Sequence, residues 1–190
     1  MAGTILPYRG IWPSIADTAF IAENAVIIGD VEIGPYSSVW YGCILRGDVN
    51  KIRVGARTNI QDASMVHVNR DPEGDYRETG GGMPTHIGDD VTIGHMVLVH
   101  ACTLQDGAFV GMRATVMDDS VVEGGGMVAA GALVTPGKRV PAGELWGGSP
   151  AKRMRELTAD ERANLPLTAE HYANMAQTYV NEGKGQKLPG

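Results

Sequence analysis

Aliphatic residues return every six positions through two long blocks of the chain. Ile21, Ile27, Ile33, Val39 and Leu45 form the first run, and after a three-residue slip Val54, Ile60 and Val66 continue it. The second block runs Ile87, Ile93 and Val99, falls one residue short to Leu104, and goes on through Val110, Val116, Val122, Val128 and Val134. Four residues after most of these stands a small or β-branched partner: Ala25, Val31, Cys43, Val49, Val91, Val97, Ala108, Ala114 and Ala132. A period of six matches neither an α-helix nor a plain two-sided strand. It matches a chain that turns a corner every six residues and closes a triangular coil every eighteen, with its aliphatics along the axis. The expected class is an all-β solenoid of parallel coils followed by a C-terminal α-helix.

The same pattern divides the chain. Residues 1–20 read as a lead-in, and the coils occupy 21–67 and 86–140. Between them Val68–Thr85 has no six-residue pulse and is rich in turn formers, so it is expected to leave the prism as a loop. One solenoid domain is thus expected over 1–145, with its excursion at 68–85, and a helical segment over 146–190 packed on the prism or on a neighbour. In that segment a short helical piece is expected from Ala151-Lys152-Arg153-Met154. Thr158 and Glu161 have capping-box spacing. A second helix is expected from Thr168, with Tyr172, Met175, Ala176, Tyr179 and Val180 on one stripe, and a frayed end over Gly183–Gly190. Trp40, Tyr41 and the segment Met112–Met117 put large side chains near the repeat surface, either as core and helix-packing residues or at a subunit interface.

Composition narrows the chemistry. Gly at 26 of 190 is about twice the usual share, and the positions (Gly34, Gly55, Gly94, Gly111) follow ladder residues, where a tight corner favours the absence of a Cβ. A net charge of −6 is the wrong sign for a nucleic-acid stripe. Cys43 and Cys102 have neither metal nor redox spacing and read as small buried hydrophobes. No apolar stretch is long enough for a membrane span, and the N-terminus lacks a leader pattern, so a cytoplasmic protein is expected.

Three of the five histidines interrupt the coils. His67 follows Val66 and His100 follows Val99, so both occupy the same slot, 33 residues apart. Removing one coil of eighteen leaves fifteen, about the length of the excursion. His67 and His100 should therefore stack on adjacent coils at sheet spacing of roughly 4.8 Å, which suits two nitrogens on one metal. His95 lies around a corner, on the order of 15 Å along the chain from His100. It is either unrelated or arrives from another molecule, so a metal site here implies an oligomer. Asp62 and His95 are also 33 apart and form a second column, while Arg46 precedes His67 by one coil plus the slip. An Arg46–Asp62 pair across the seam would satisfy both charges. Gln61 stands beside Asp62, within reach of a metal-bound water or an incoming substrate. Three histidines with an open position are the catalytic zinc pattern.

Arg46-Gly47-Asp48, Asn59-Ile60-Gln61-Asp62, His67, Ile93-Gly94-His95-Met96-Val97-Leu98-Val99-His100 and Gly148-Ser149-Pro150-Ala151-Lys152 together resemble the gamma-class carbonic anhydrases, over about residues 10–157. The six-residue repeat alone is shared with acyltransferases. The resemblance implies a left-handed parallel β-helix, whereas general crossover rules favour the right hand. It also implies a homotrimer with Zn2+, or Fe2+ or Co2+, at each interface, held by His67 and His100 of one chain and His95 of the next. Arg46 and Asp62 would form the intersubunit ion pair, with Asp48 in the same polar network. Gln61 would orient the metal-bound hydroxide with support from Asn59, for reversible hydration of carbon dioxide to bicarbonate. Tyr172 is a further candidate to bring a polar group to the pocket. Two departures bear on speed. Val49 stands where the well-characterised active form has a glutamate. The loop carries Asp71, Glu73 and Asp75, but none matches that form's shuttle carboxylate, and Arg70 stands near its place. Two other readings stay open: a metal-bound trimer acting on another small substrate or as an interaction scaffold, and a hexapeptide-repeat acyltransferase with one histidine as general base.

Overall fold

Each six-residue unit has room for a strand of two or three residues and a corner, and three units return the chain to its starting face. The computed structural model describes residues 4–186 and shows the expected left-handed parallel β-solenoid with a long C-terminal helix. The first face stacks Thr4–Leu6, the leading parts of Val26–Ile33 and Ile44–Val54, then Met65–His67, Leu98–His100, Thr115–Val116 and Leu133–Val134. The second takes Ser14–Ile15, the trailing parts of those two long strands, Thr85–Ile87, Thr103–Leu104, Val121–Val122 and Arg139–Val140. The third stacks Phe20–Ile21, Ser38–Val39, Asn59–Ile60, Thr92–Ile93, Phe109–Val110, Met127–Val128 and Glu144–Gly147.

The axis is filled by the ladder residues. Ile27, Val39, Leu45, Ile60, Val66, Ile93, Val99, Val110, Val116, Val122 and Val128 are fully buried. Their corner partners Ala25, Cys43, Val91, Ala108, Ala114 and Ala132 close the gaps between them. Val49 does not join them. The three-residue slip lies after Gly47, so the strand bulges there and Ile52 takes the core position instead, opposite Val31. Cys43 and Cys102 are buried, and burial pushes both thiols up to about 12, which leaves them inert packing groups. The corner glycines are required by close approach. A Cβ on Gly111 would stand 2.6 Å from the backbone nitrogen of Ala130 on the next coil.

The C-terminal chain differs from expectation in three places. Lys152–Glu156 is a strand, antiparallel to Glu144–Gly147, and not the start of a helix. Its charged side chains face solvent, and the pairing covers the last edge of the third face. A single helix then spans Ala159–Asn181, begun by the Thr158–Glu161 capping box and the Arg155–Glu161 ion pair. It runs through Pro166, because burial of Leu165 and Ala169 on either side holds it to the sheet despite the missing N–H donor. It lies on the third face, where Phe20, Trp40, Tyr172 and Tyr179 form an edge-packed cluster with centroids 5.1–5.7 Å apart.

Residues 183–186 are docked rather than frayed; 187–190 of the expected frayed end lie outside the described residues. Gln186 donates from its side chain to the carbonyls of Ala22 and Ala25 and from its backbone to that of Ile21, and Gly185 donates to Glu23 Oε1. The tail thereby pairs carbonyls of the first coil that no further coil satisfies. No described helix is long and apolar enough to cross a membrane.

Ile60→Ala, which empties a fully buried axial site, is expected to cost about 2–5 kcal/mol. Gln186→Ala, which removes two side-chain hydrogen bonds, is expected to cost about 1–3 kcal/mol. Urea midpoints at one fixed protein concentration check both.

Candidate metal centre

Every irregularity of the repeat falls on one corner, that between the first and second faces. The slip occupies Asp48–Lys51, the excursion leaves and returns on the next coil, and the shortened turn at Ala101–Cys102 follows on the coil after. His67 and His100 sit there as register partners on adjacent strands. Their ring nitrogens, Nδ1 of His67 and Nε2 of His100, face each other 3.2 Å apart.

The opposite nitrogen of each ring is occupied. His67 Nε2 lies 3.0 Å from Asp48 Oδ1, and His100 Nδ1 lies 2.5 Å from Asp118 Oδ1. The bulge after Gly47 aims Asp48 at His67, and Arg46 pairs with the same carboxylate. Burial works to raise the Asp48 carboxyl, but the hydrogen bonds from His67 and Arg46 outweigh it and hold it below its ordinary value. Burial also pulls the His67 imidazolium below its ordinary pKa, against the pull of Asp48, which favours a neutral ring.

A neutral imidazole has one N–H. With both N–H groups committed to aspartates, the facing nitrogens present lone pairs to each other, an arrangement that repels unless a cation lies between them. Two nitrogens bound at about 2.0–2.1 Å to a tetrahedral ion stand about 3.3–3.4 Å apart, close to the observed separation. The donors fit a zinc-like ion.

His95 sits on the other border of the first face, at the corner that follows Thr92–Ile93. Its Nδ1 is 2.8 Å from Asp62 Oδ2, and the side chains are 38% and 43% exposed. Among the described residues no three metal-ligating side chains of one chain converge on a point. Nor does an ion pair join Arg46 to Asp62 within one chain: Arg46 is with Asp48 and Asp62 with His95. Gln61 and Asn59 are buried on the third face beside Asp62. Gln61 Nε2 donates to Asn59 Oδ1 at 3.0 Å, and Asn59 Nδ2 donates to Thr92 Oγ1 at 3.0 Å. This chain of amides leaves Gln61 Oε1 with no protein donor among the described residues. Tyr172 packs edge-on against Trp40, and its hydroxyl is raised by burial and by the Asp62 charge, which places it near that corner.

Asp118 and Asn69 escaped the sequence reading. Asp118 lies on the next coil, one place past the register partner of His100, because the shortened turn makes Val99 pair with Val116; it reaches back to the ring from there. Asn69 Nδ2 donates to Asp118 Oδ2 at 2.9 Å. The excursion itself closes at a neck where Asn69 and Met83 exchange backbone hydrogen bonds, and carries a short helix, Tyr76–Thr79. With Tyr8, Arg9, Asp48 and Val49 it lines a cleft of about 300 Å3. Of its four carboxylates, Asp71 is bound to Thr79 and Asp75 to Arg77, Glu78 is exposed away from the cleft, and Glu73 is exposed and lines the cleft. A groove of about 520 Å3 on the second face, with His86 in its wall, is lined by none of the three histidines.

No family-wide sequence profile matches the chain. Individual relatives do. The chain is 51% identical over 170 residues to the Arabidopsis thaliana protein "Gamma carbonic anhydrase 2, mitochondrial", which covers 90% of this chain and 59% of the relative. The chain thus spans about three fifths of the length of that plant protein. It is 40% identical to the "Probable carbonic anhydrase" of Methanocaldococcus jannaschii, over 86% of this chain and 96% of the relative. The crystal structure of a hexapeptide transferase family protein from Anaplasma phagocytophilum superposes with a TM-score of 0.84 at 50% identity, over 93% of this chain and 98% of that one. The plant relatives are mitochondrial by name, and with that the expectation of a cytoplasmic chain is withdrawn: a solenoid core and a modest negative charge serve equally in either compartment.

Protein dialysed against zinc is expected to retain the metal tightly, and His67→Ala or His100→Ala to lose it. Metal analysis after exposure to a weak chelator checks this.

Proposed function

We propose reversible hydration of carbon dioxide to bicarbonate as the activity of this chain, which belongs to the gamma carbonic anhydrase family. The observation that carries the reading is that His67, His95 and His100 each set one ring nitrogen within 3.0 Å of an aspartate and leave the other with no aspartate on it, those of His67 and His100 facing each other. That is the donor set of an open three-histidine site, and it is divided between the two borders of one face.

Between those borders the first face is largely apolar. Val26, Ile44, Met65, Leu98 and Leu133 point outward in register, interrupted only by Thr115, and Met65, Met96 and Met112 are 42–54% exposed. A heterologous contact that sets the His95 border of one chain against the His67–His100 border of the next covers this face and, repeated, closes a ring. Three chains complete three sites. Across each seam the free oxygen of Asp62 becomes available to Arg46, whose guanidinium is partly exposed.

His67 and His100 of one chain and His95 of the next would hold a zinc-like ion, which would supply hydroxide at neutral pH by lowering the pKa of bound water toward 7; Fe2+ or Co2+ would suit the same nitrogen donors. The chain's own residues do the rest. Asp48, Asp62 and Asp118 fix the three rings. Gln61 arrives with His95, and because Asn59 Oδ1 holds its amide hydrogen, its Oε1 is presented as an acceptor toward the reacting oxygen. Tyr172 shields that corner. Protons leave through the cleft beside Asp48, with Glu73 as the untied carboxylate that lines it.

Two measurements test this. Mixing His67→Ala chains with His95→Ala chains after reversible dissociation is expected to restore activity at about one quarter of the interfaces, since each site draws on two chains; no recovery would sink the shared site. Glu73→Gln is expected to lower kcat several-fold in dilute buffer with little change in kcat/KM, and concentrated imidazole to restore it, as stopped-flow assays would show. Acyl transfer, the runner-up, requires tight coenzyme A binding without metal.

A further inference from the structure

The two facing histidines have an alternative that defeats metal binding. If either ring carried its proton on the inner nitrogen, His67 and His100 would hydrogen-bond to each other across their 3.2 Å gap, and both donors would be lost. Asp48 prevents this for His67 and is itself shared with Arg46. For His100 the prevention rests on Asp118, one coil further along, whose Oδ1 takes Nδ1–H and whose Oδ2 takes the side-chain amide of Asn69.

Asn69 is not a free surface residue. Its backbone exchanges both hydrogen bonds with Met83 at the neck of the excursion, at 2.9 and 3.1 Å. Its carbonyl and that of Gly81 accept from Asn50 Nδ2, and Asn50 is buried. Asn69 therefore joins the loop neck to the carboxylate that orients His100.

We infer that Asp118 is a positioning residue that presents Nε2 of His100 to the metal, and that Asn69 holds Asp118 so that the loop neck and His100 form one unit. The inference rests on the metal reading above. A carboxylate accepting Nδ1–H selects the tautomer and raises the basicity of Nε2, and loss of such partners typically costs 10–100-fold in metal affinity.

The experiment compares wild type with Asp118→Asn, which keeps the side-chain shape, Asp118→Ala, and Asn69→Ala. Zinc affinity is read by competition with a chromophoric chelator, and the His100 tautomer by imidazole 15N shifts in metal-free protein. Expected are a 10–100-fold loss of affinity in Asp118→Ala, a smaller loss in Asn69→Ala, and a shift of His100 from the Nδ1–H form toward Nε2–H in Asp118→Ala. Asp118→Asn, which keeps a weaker acceptor, should fall between. Wild-type affinity and tautomer in a folded Asp118→Ala protein would overturn the inference. Failure of wild type to bind zinc would instead overturn the metal reading, and the tautomer measurement, made without metal, would still decide the role of Asp118.

Discussion

Between one coil and the next, the backbone register allows only one alignment. Each strand pairs with one a fixed number of residues away: eighteen in a regular coil, twenty-one across the slip, thirty-three across the excursion and seventeen past the shortened turn. A one-residue error would turn every ladder aliphatic out of the axis. That constraint converts positions far apart in the chain into columns at sheet spacing, and the columns make the chemistry. Arg46, His67 and His100 share one column, with Asp118 reaching in from one place past it on the next coil, and Asp62 and His95 share another. No special local sequence draws these side chains together. The core does it.

The site occupies the corner where the repeat is least regular, and the two facts are connected. A regular corner is a short turn with its side chains spread over the surface. The extra residues at Asp48–Lys51 let a carboxylate reach out to His67, while the excursion on the next coil walls the cleft. The core tolerates this because Ile52 re-enters the axis in step with Val31. Departures from the six-residue beat were therefore better guides to function than the beat itself.

What was legible in the sequence followed from repetition. The ladder, the stacking of His67 on His100 and the isolation of His95 could be read from spacing alone, because parallel coils translate spacing directly into position. The failures lie where a contact has no periodic signature. Val49 and Ile52 are both aliphatic, so the slip could be placed on either side of them. Pro166 and Thr168 resemble the break before a new helix, yet buried neighbours carry one helix across. Gly185 and Gln186 bond to backbone carbonyls, which no pattern of side chains announces. Asp118 has no signal at the eighteen-residue spacing because the shortened turn at Ala101–Cys102 sets the next register at seventeen, and the aspartate reaches His100 from one place off its column.

The helix Ala159–Asn181 starts beside the last coil and delivers the tail to the first. At about 1.5 Å per residue its 23 residues extend about 34 Å, the height of some seven coils at about 4.8 Å each. It acts as a gauge. One more coil would raise the stack by about 4.8 Å and call for about three more helical residues, while a helix altered alone would miss its dock. Insertions on the excursion escape this rule, because they add no height. The excursion is thus free to vary in length, while coil number and helix length are coupled and change together.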